Sequence, residues 1–179
     1  MVRTCARCGE RLLMRRSDAR FCSTRCRVAA HRSIPTELRS LSRWVRHDAA
    51  KRPLRADGDG LASSTDAETW ADHRTASAST VGVGVGFVLN GDGIVCFDLD
   101  HCVTNGKPNA AALRFLATLP RTYVEFSPSG QGLHVWGFGS VPRGSRRVID
   151  GLHVERYGSG RYITVTGKPF VAAPFAHLT

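Results

Sequence analysis

The sequence has no long apolar segment. No run of about 18 apolar residues, the length that crosses a bilayer as a helix, occurs among the 179 residues. The amino-terminal stretch MVRTCARCGERLLMRR also lacks the apolar region of a secretory signal peptide. We therefore expect a soluble cytoplasmic protein with no membrane partner. A chain of this length that is 42% hydrophobic can bury one proper core and carry a small appended module.

Acidic residues are scarce in the first third of the chain. Residues 1–55 contain 15 Arg and Lys but 4 Asp and Glu, a net charge of +11, whereas residues 56–179 contain 10 basic and 11 acidic residues. A concentrated cationic segment is typical of polyanion binders, because neutralising phosphates releases condensed counterions. An ordinary solvated face is the alternative interpretation. The clustering favours nucleic acid as the partner.

Four of the 6 cysteines lie in this basic segment. Cys5-x2-Cys8 and Cys22-x3-Cys26 are thirteen residues apart, which is the pairwise spacing of a structural zinc site with four thiolate ligands. A segment of about 30 residues cannot fold by apolar burial alone, so metal ligation would supply its folding free energy. Two disulfides are the alternative and fit poorly without a secretion signal. The spacing predicts a zinc-binding module over residues 1–33, followed by a larger domain over residues 34–179.

The string FCSTRCRVAAHR continues from the second cysteine pair. It predicts a basic helix, carrying Arg25, Arg27, His31 and Arg32, that is suited to lie along a phosphate backbone. His31 in this string is interpreted as a surface residue, with replacement of Cys26 as a zinc ligand as the alternative. Cys96 and Cys102 stand apart from the cluster, and two isolated thiols give a weak case for chemistry.

Helices are predicted at three places in the larger domain. Leu38, Leu41, Trp44 and Val45 have helical spacing in PTELRSLSRWVRHDAAKRPL and should face the core. A short helix begun by Thr65 or Asp66, with Trp70 as its apolar anchor, should interrupt the polar loop that follows. The third helix is PNAAALRFLATLP.

Strands outnumber these helices. VGVGVGFVL and GIVCFDLD alternate with a period of two residues and are joined by NGDG, a hairpin signal. The first run resembles a phosphate loop but lacks its Lys-Ser/Thr pair, so closely packed strand glycines are the better interpretation. Four further strands are predicted in TYVEFS, LHVWGF, GLHVERY and RYITVTG. The predicted fold class is α+β, built on a largely antiparallel sheet.

An acidic pair ends the second of these strands. Side chains alternate along a strand, so Asp98 and Asp100 should point to one face. Glu155 in GLHVERY should complete a carboxylate cluster from a neighbouring strand. Such clusters suit Mg²⁺ or Mn²⁺, and paired metals stabilise the entering and leaving oxygens of a phosphoryl displacement. An Asp-x-Asp pair alone is a weak signal, because it is equally common in turns.

Groups that could hold a triphosphate lie near this pair in the sequence. The small residues of SPSGQG allow a close approach to a ligand, and His134 projects from the strand just beyond. Arg161 offers a bidentate guanidinium for the same phosphate group. A lone His on a strand is more often structural, and SPSGQG alone is merely a loop. The order of acidic pair, turn, His, third acid and Arg makes the set more specific than any single motif.

Taken together, FDLDHC, TYVEFSPSGQGLHVWG and VERYGSGRYITVTG resemble the primase-polymerase domain of the archaeo-eukaryotic primase superfamily, as found in phage and plasmid replication proteins. The resemblance spans roughly residues 41–170 and includes KRPL and SSTDAETW upstream. It implies a sheet core related to RNA-recognition-motif folds and template-directed nucleotidyl transfer. It also implies action in a bacterial host cell, on a single-stranded DNA template with nucleoside triphosphates, and a separate replicative helicase is a candidate partner.

The resemblance also assigns roles to residues. Asp98, Asp100 and Glu155 would be catalytic and would hold Mg²⁺ or Mn²⁺. The incoming nucleotide would be bound by Ser129, Gly130 and His134, with Arg161 as a further candidate. The K-x-P stretch of the family contains Lys51 here, to which we assign no role.

Two other functions fit parts of the sequence. FDLDHCVTNG resembles the first motif of haloacid-dehalogenase-type phosphatases, but Cys102 stands where that motif needs Thr, and no downstream Asp-Asp pair is present. Such a phosphatase also requires a parallel sheet. A non-catalytic zinc-finger protein that binds DNA would show the same cysteines and the same basic segment. It differs in having no use for the acidic cluster.

Overall fold

The computed structural model describes residues 3–5, 10–12, 16, 19, 21–27 and 33–179. Residues 24–27 are helical. The larger domain contains the helices α1 (Thr36–Arg39), α2 (His73–Ala78) and α3 (Ala110–Ala117) and one 3₁₀ turn, Ala67–Thr69. No helix in the described ranges is long and apolar enough to cross a membrane.

Twelve strands form the framework of the described chain. They are β1 (Trp44–His47), β2 (Pro53–Leu54), β3 (Gly84–Asn90), β4 (Ile94–Asp100), β5 (Val103–Thr104), β6 (Lys107–Pro108), β7 (Tyr123–Phe126), β8 (Leu133–Phe138), β9 (Ser145–Ile149), β10 (Leu152–Tyr157), β11 (Ser159–Val165) and β12 (Pro169–Val171). One sheet has the order β12-β7-β8-β4-β10-β9, a second has the order β11-β3-β1-β2, and β5 pairs with β6. All named strand pairs are antiparallel. The predicted α+β class with antiparallel sheets is therefore confirmed.

The six-stranded sheet buries both faces. On one face Phe97 and Leu99 pack with α3, where Phe115 contacts the Phe97 ring at 6.5 Å between centroids. On the other face Trp136 meets Phe87 of the four-stranded sheet at 6.1 Å. The two-residue alternation in FDLD thus sends the apolar side chains towards α3. It leaves Asp98 and Asp100 on the face that the second sheet covers only in part.

The helix predicted around Leu38 is shorter than expected. It ends at Arg39, and Trp44 to His47 form strand β1 instead. The side chains are buried as predicted, since Leu38, Trp44 and Val45 have no exposed area. The helical prediction was wrong because Trp44 and Val45 are buried on opposite faces of a central strand, a pattern that a short apolar run shares with a helix.

The NGDG segment does not close a hairpin. β3 pairs with β1 and β11, whereas β4 pairs with β8 and β10, so the two strands belong to different sheets. The buried Arg43 guanidinium donates to Asn90 Oδ1 and forms an ion pair with Asp92 at 2.9 Å. This clamp holds the segment as a crossing between sheets. A local turn signal does not show which sheet the next strand joins.

The glycines of β3 admit close neighbours, as predicted. A Cβ on Gly84 would lie 2.4 Å from His47 Nε2, and a Cβ on Gly86 would lie 2.5 Å from the Tyr162 ring. These glycines serve strand packing rather than a phosphate loop. The predicted short helix after Asp66 is present as the 3₁₀ turn, which Asp66 caps by accepting from the Glu68 backbone N–H at 3.1 Å. The division at residue 33 stays a prediction.

Candidate active site

Three carboxylates converge on the partly open face of the six-stranded sheet. Asp98 and Asp100 lie on β4, and Glu155 on β10 is directly paired with Asp98 in the ladder. Each offers an oxygen that lies within 4.8 Å of the others. The strand period places the two aspartates on one side, and the antiparallel register adds the glutamate. All three are partly buried.

The environment of Asp98 opposes its ionisation. Burial raises the pKa of Asp98, and the charges of Asp100 and Glu155 raise it further, while His134 and Lys51 act in the opposite direction. A group of like charges at this separation is stabilised by a cation between them. The structure therefore concentrates negative charge at one point of a chain that is basic overall.

His134 continues the row of polar side chains on the next strand. It is paired with Asp98 across β4 and β8, and its Nε2 lies 3.7 Å from Asp98 Oδ1. Its Nδ1 lies 3.6 Å from Glu125 Oε1. Burial lowers the pKa of His134, but the interaction with Glu125 and the charge of Asp98 outweigh it, so the pKa is raised. The two acids on either side of the buried imidazole thus favour its protonated form, although Nδ1 makes no hydrogen bond.

Glu125 is a functional candidate that the sequence analysis missed. Its side chain is fully buried on β7, and its carboxylate accepts hydrogen bonds from five donors. These are the backbone N–H of Gly167 at 2.8 Å, the backbone N–H and hydroxyl of Thr166 at 3.1 Å each, and Tyr123 Oη and Trp136 Nε1 at 3.3 Å each. A glutamate on the inward face of the apolar run TYVEFS was the available signal.

Arg146, also missed, pairs with Glu155 from the edge strand β9. Its Nε lies 2.6 Å from Glu155 Oε1, and 69% of its side chain is exposed. The hydroxyl of Tyr157 donates to Glu155 Oε2, and Arg161 lies 4.0 Å from the same oxygen with its guanidinium over the Tyr157 ring at 4.5 Å. Glu155 therefore lies beside the aspartates and also carries three partners of its own. The weak strand pattern of SRRVI concealed Arg146.

The SPSGQG turn joins β7 to β8 next to His134. Ser127 and Ser129 share a hydrogen bond at 3.1 Å, and Gly130 adopts a left-handed φ of 73°. A Cβ on Gly132 would lie 2.7 Å from the Leu99 carbonyl oxygen, so this glycine lets the turn press against the strand that carries both aspartates. The structure thus places the turn beside β4, with Ser129 and Gly130 exposed at its tip.

The donor set of the carboxylate cluster fits a hard divalent cation. Mg²⁺ and Mn²⁺ take oxygen ligands, and two oxygens on one Mg²⁺ lie about 3 to 4 Å apart. The oxygens of Asp98, Asp100 and Glu155 lie within 4.8 Å of one another, close to that range. Mg²⁺ sites in proteins commonly use few carboxylates and leave positions for water and substrate phosphate.

The amino-terminal cysteines also form a cluster. Sulfur atoms of Cys5, Cys22 and Cys26 lie within 4.8 Å of one another, with Cys22 and Cys26 at 3.5 Å. Thiolates on one zinc ion lie about 3.8 Å apart, so three of the four predicted ligands have a suitable arrangement. The five described cysteines are thiols, which disfavours the disulfide alternative for these three. The predictions for Cys8 and His31 lie outside the described residues.

The two remaining cysteines show no reactive features. Cys96 and Cys102 are buried, and burial raises the pKa of both thiols, that of Cys102 to about 11. Cys102 donates to the Leu99 carbonyl at 3.3 Å. A thiol that stays protonated at neutral pH is a poor nucleophile and a poor metal ligand.

No protein-family model matches the chain. Over 135 residues, however, the chain is 38% identical to a curated protein described as the DNA primase-polymerase of Nitratiruptor phage NrS-1. The chain is similar to a phage DNA primase-polymerase. This agrees with the resemblance carried by the motifs. The match covers 71% of the chain but 19% of the relative, so the chain spans about a fifth of that protein's length.

Proposed function

We propose that the chain is a DNA primase-polymerase that transfers nucleotides under the direction of a DNA template. The 3′-hydroxyl of a growing strand would attack the α-phosphate of a nucleoside triphosphate and release pyrophosphate. The observation that carries the proposal is the convergence of Asp98, Asp100 and Glu155 within 4.8 Å beside His134. Similarity to the phage enzyme supports the same reaction class.

Asp98, Asp100 and Glu155 would hold Mg²⁺ or Mn²⁺. Bound ions of this kind stabilise the attacking and leaving oxygens of an in-line phosphoryl displacement. The protein's own contribution is to place the three carboxylates on β4 and β10, whose backbone hydrogen bonds keep them close together. The two-metal form of this mechanism is part of the proposal.

The triphosphate would lie against His134 and Arg161. His134 offers buried N–H donors, and 47% of the Arg161 side chain is exposed, so a phosphate can reach its guanidinium. Arg161 is a cation, and the neighbouring acids raise the pKa of His134, which favours its charged form. Charge-assisted bonds to phosphate are stronger than neutral ones. The tip of the SPSGQG turn, with Ser129 and Gly130, would contact the same group through hydroxyl and backbone donors.

The phosphatase alternative is disfavoured by the ladder around the acidic pair. β4 is antiparallel to both of its neighbours, β8 and β10, whereas that family needs a parallel sheet around its nucleophile. The non-catalytic DNA-binding alternative predicts that the chain incorporates no nucleotide. An incorporation assay therefore distinguishes it from the proposed function.

The proposed function is tested by incorporation of labelled nucleotides into DNA. The unmodified chain is mixed with single-stranded DNA, with or without a primer, and with ribo- or deoxynucleotides and Mg²⁺ or Mn²⁺. We expect products whose sequence follows the template. A chain that binds DNA but incorporates no nucleotide under any of these conditions would support the non-catalytic alternative and contradict the proposal.

We also propose that the cysteine cluster binds one structural zinc ion. Metal analysis should find about one zinc per chain, and Cys22→Ser should lose it together with the folded amino-terminal module, because ligation supplies the folding free energy there. Cys102→Ala is the matched control and should keep the zinc, since its buried thiol bonds to the Leu99 carbonyl. Zinc-free protein with a folded module would refute the site.

The basic segment would bind the phosphate backbone of the template. Arg25 and Arg27 are exposed in the helical stretch that follows Cys22. Replacing both with glutamine should weaken binding of single-stranded DNA and reduce the slope of log affinity against log salt by about 1 to 2, since each lost phosphate contact removes about 0.7. Arg114→Gln, on α3, is the control. An unchanged slope in the double variant would show that these arginines do not touch the backbone.

A further inference from the structure

A row of charged residues crosses the six-stranded sheet and continues past His134 into the interior. Glu125 is paired with His134 in the ladder, and His134 is paired with Asp98. Asp98 is in turn paired with Glu155. The row therefore runs from a fully buried acid on β7 to the partly buried carboxylates on β4 and β10. The proposed function uses every residue of this row except Glu125.

The two carboxylate oxygens of Glu125 have different surroundings. Oε2 accepts four hydrogen bonds, which come from Tyr123 Oη, the backbone N–H and hydroxyl of Thr166, and the backbone N–H of Gly167. Oε1 accepts one bond, from Trp136 Nε1 at 3.3 Å. A carboxylate oxygen can accept about two hydrogen bonds. Oε2 thus fixes the carboxylate in place, and Oε1 has capacity for a second donor.

His134 presents the matching atom. Its side chain is buried, and its Nδ1 has no hydrogen-bond partner among the described residues. Nδ1 lies 3.6 Å from Glu125 Oε1, so a shift of about 0.6 Å brings the two atoms to the usual hydrogen-bond distance of about 3.0 Å. A buried polar atom without a partner is costly, and this bond would satisfy Nδ1.

The contact with Glu125 also determines where the other ring nitrogen points. Nε2 of His134 lies 3.7 Å from Asp98 Oδ1, at the edge of the carboxylate cluster. An acceptor that holds Nδ1 in the interior turns Nε2 towards that cluster, because the imidazole ring is rigid. A hydrogen bond to one ring nitrogen commonly fixes the orientation and the role of the other.

We propose that Glu125 is a positioning residue for the triphosphate: it holds His134 by Nδ1 and so aims Nε2 at the incoming nucleotide. The inference rests on the proposed function, which places the triphosphate at His134. An uncharged side chain would fill the same space at a smaller cost, since a fully buried carboxylate loses its hydration. The orientation of His134 accounts for an acid at this position.

The test is a double-mutant cycle on nucleotide binding by the full chain. Wild type, Glu125→Gln, His134→Ala and the double variant are titrated with ATP and with dATP in Mg²⁺. The primer-template presents a thymine, and a dideoxy end on the primer prevents incorporation. In Glu125→Gln the amide oxygen should stay with the four donors around Oε2, so that its NH₂ group faces Nδ1 in place of an acceptor.

We expect Glu125→Gln to bind nucleotide about tenfold more weakly than wild type, as for the loss of one charge-assisted contact. His134→Ala should bind at least as weakly. Adding Glu125→Gln to His134→Ala should then change the affinity by less than about twofold, because the first residue acts through the second.

Phe115→Leu is the control for lost stability. Phe115 packs against Phe97 on the opposite face of the sheet, so this variant should have a lower melting temperature and bind nucleotide as wild type does. Thermal unfolding of every variant shows whether it is folded at the temperature of the titration.

Three results would overturn the inference. They are a Glu125→Gln variant that binds nucleotide as tightly as wild type, a full further loss when Glu125→Gln is added to His134→Ala, and a wild-type chain that binds no nucleotide. The second result is what a purely structural role predicts. Incorporation by the wild type on an extendable primer tests the proposed function separately. Incorporation with an additive cycle keeps that function and removes the role of Glu125, whereas a coupled cycle without incorporation supports the role and contradicts the function.

Discussion

Asp98→Asn is expected to lower the rate of nucleotide incorporation by about a thousandfold or more, because it removes a charge from the centre of the carboxylate cluster. The substitution keeps the size and the strand conformation of the side chain. It takes away an ionised oxygen that lies between His134 and Glu155 and within 4.8 Å of the other carboxylates. Loss of one electrostatic contact to reacting groups costs about 10² to 10³ in rate, and a lost metal ligand costs at least as much.

The rate is measured in single turnover with saturating primer-template, nucleotide and Mg²⁺. Asp150→Asn is the matched control, since Asp150 is exposed in the β9–β10 turn with a φ of 49°, a conformation that asparagine tolerates. DNA binding should survive in both variants. Unchanged incorporation by Asp98→Asn, with the fold intact, would remove the acidic cluster from the mechanism.

The same variant should be as stable as the wild type or more stable. The pKa of Asp98 is raised in the folded chain by burial and by its acidic neighbours. Ionised Asp98 therefore reduces stability as pH rises from the unfolded pKa through the folded pKa, and this loss persists at neutral pH. Asparagine does not ionise, so activity and thermal stability should change in opposite directions, as is typical of functional sites.

Glu125→Ala is expected to reduce the free energy of unfolding by about 3 to 5 kcal/mol. The substitution leaves the buried donors of Gly167, Thr166 and Trp136 without an acceptor. It also removes the carboxylate beside His134 Nδ1, so that Asp98 is the one acid left next to the imidazole. Each unsatisfied buried donor costs about 1 to 3 kcal/mol, and breaking a buried ion pair costs about 3 to 5 kcal/mol. Glu125→Gln should lose less, because one acceptor oxygen remains.

Urea denaturation measures this effect, with the slope against urea unchanged if both states keep their compactness. Glu68→Ala provides the control, since Glu68 is exposed in the 3₁₀ turn and its truncation should change stability by less than about 0.5 kcal/mol. A loss below about 1 kcal/mol for Glu125→Ala would mean that water replaces the carboxylate among these donors.

The convergence of the three acids could be anticipated from the sequence because it follows from local rules. Alternation fixed the common face of Asp98 and Asp100, and a strand pattern in GLHVERY placed Glu155 on one face with His153 and Tyr157. The expectation that Glu155 lies on a neighbouring strand came from the residues, and the resemblance assigned the three acids one shared role. The run PNAAALRFLATLP was enough to predict α3. Asn109 caps this helix by accepting from the Ala112 backbone N–H at 2.9 Å.

The missed features depend on contacts between distant segments. The crossing at NGDG is set by Arg43, which is 47 residues from Asn90. Three of the five donors to Glu125 lie about 40 residues further along the chain, so most of its hydrogen bonds could not be inferred from neighbouring residues. Arg146 joins the site only because β9 follows β10 in the sheet order, and nothing in SRRVI indicates that pairing.

The outer edge of β9 has a consequence for how the protein behaves at high concentration. β9 is the last strand of its sheet, and within the described ranges no strand covers that edge. An open edge is a template for a strand of another molecule and a route to aggregation. Arg146 and Arg147 lie consecutively near its centre, so two copies aligned edge to edge would bring four guanidinium groups together. Repulsion between them would oppose edge-to-edge pairing of the two sheets.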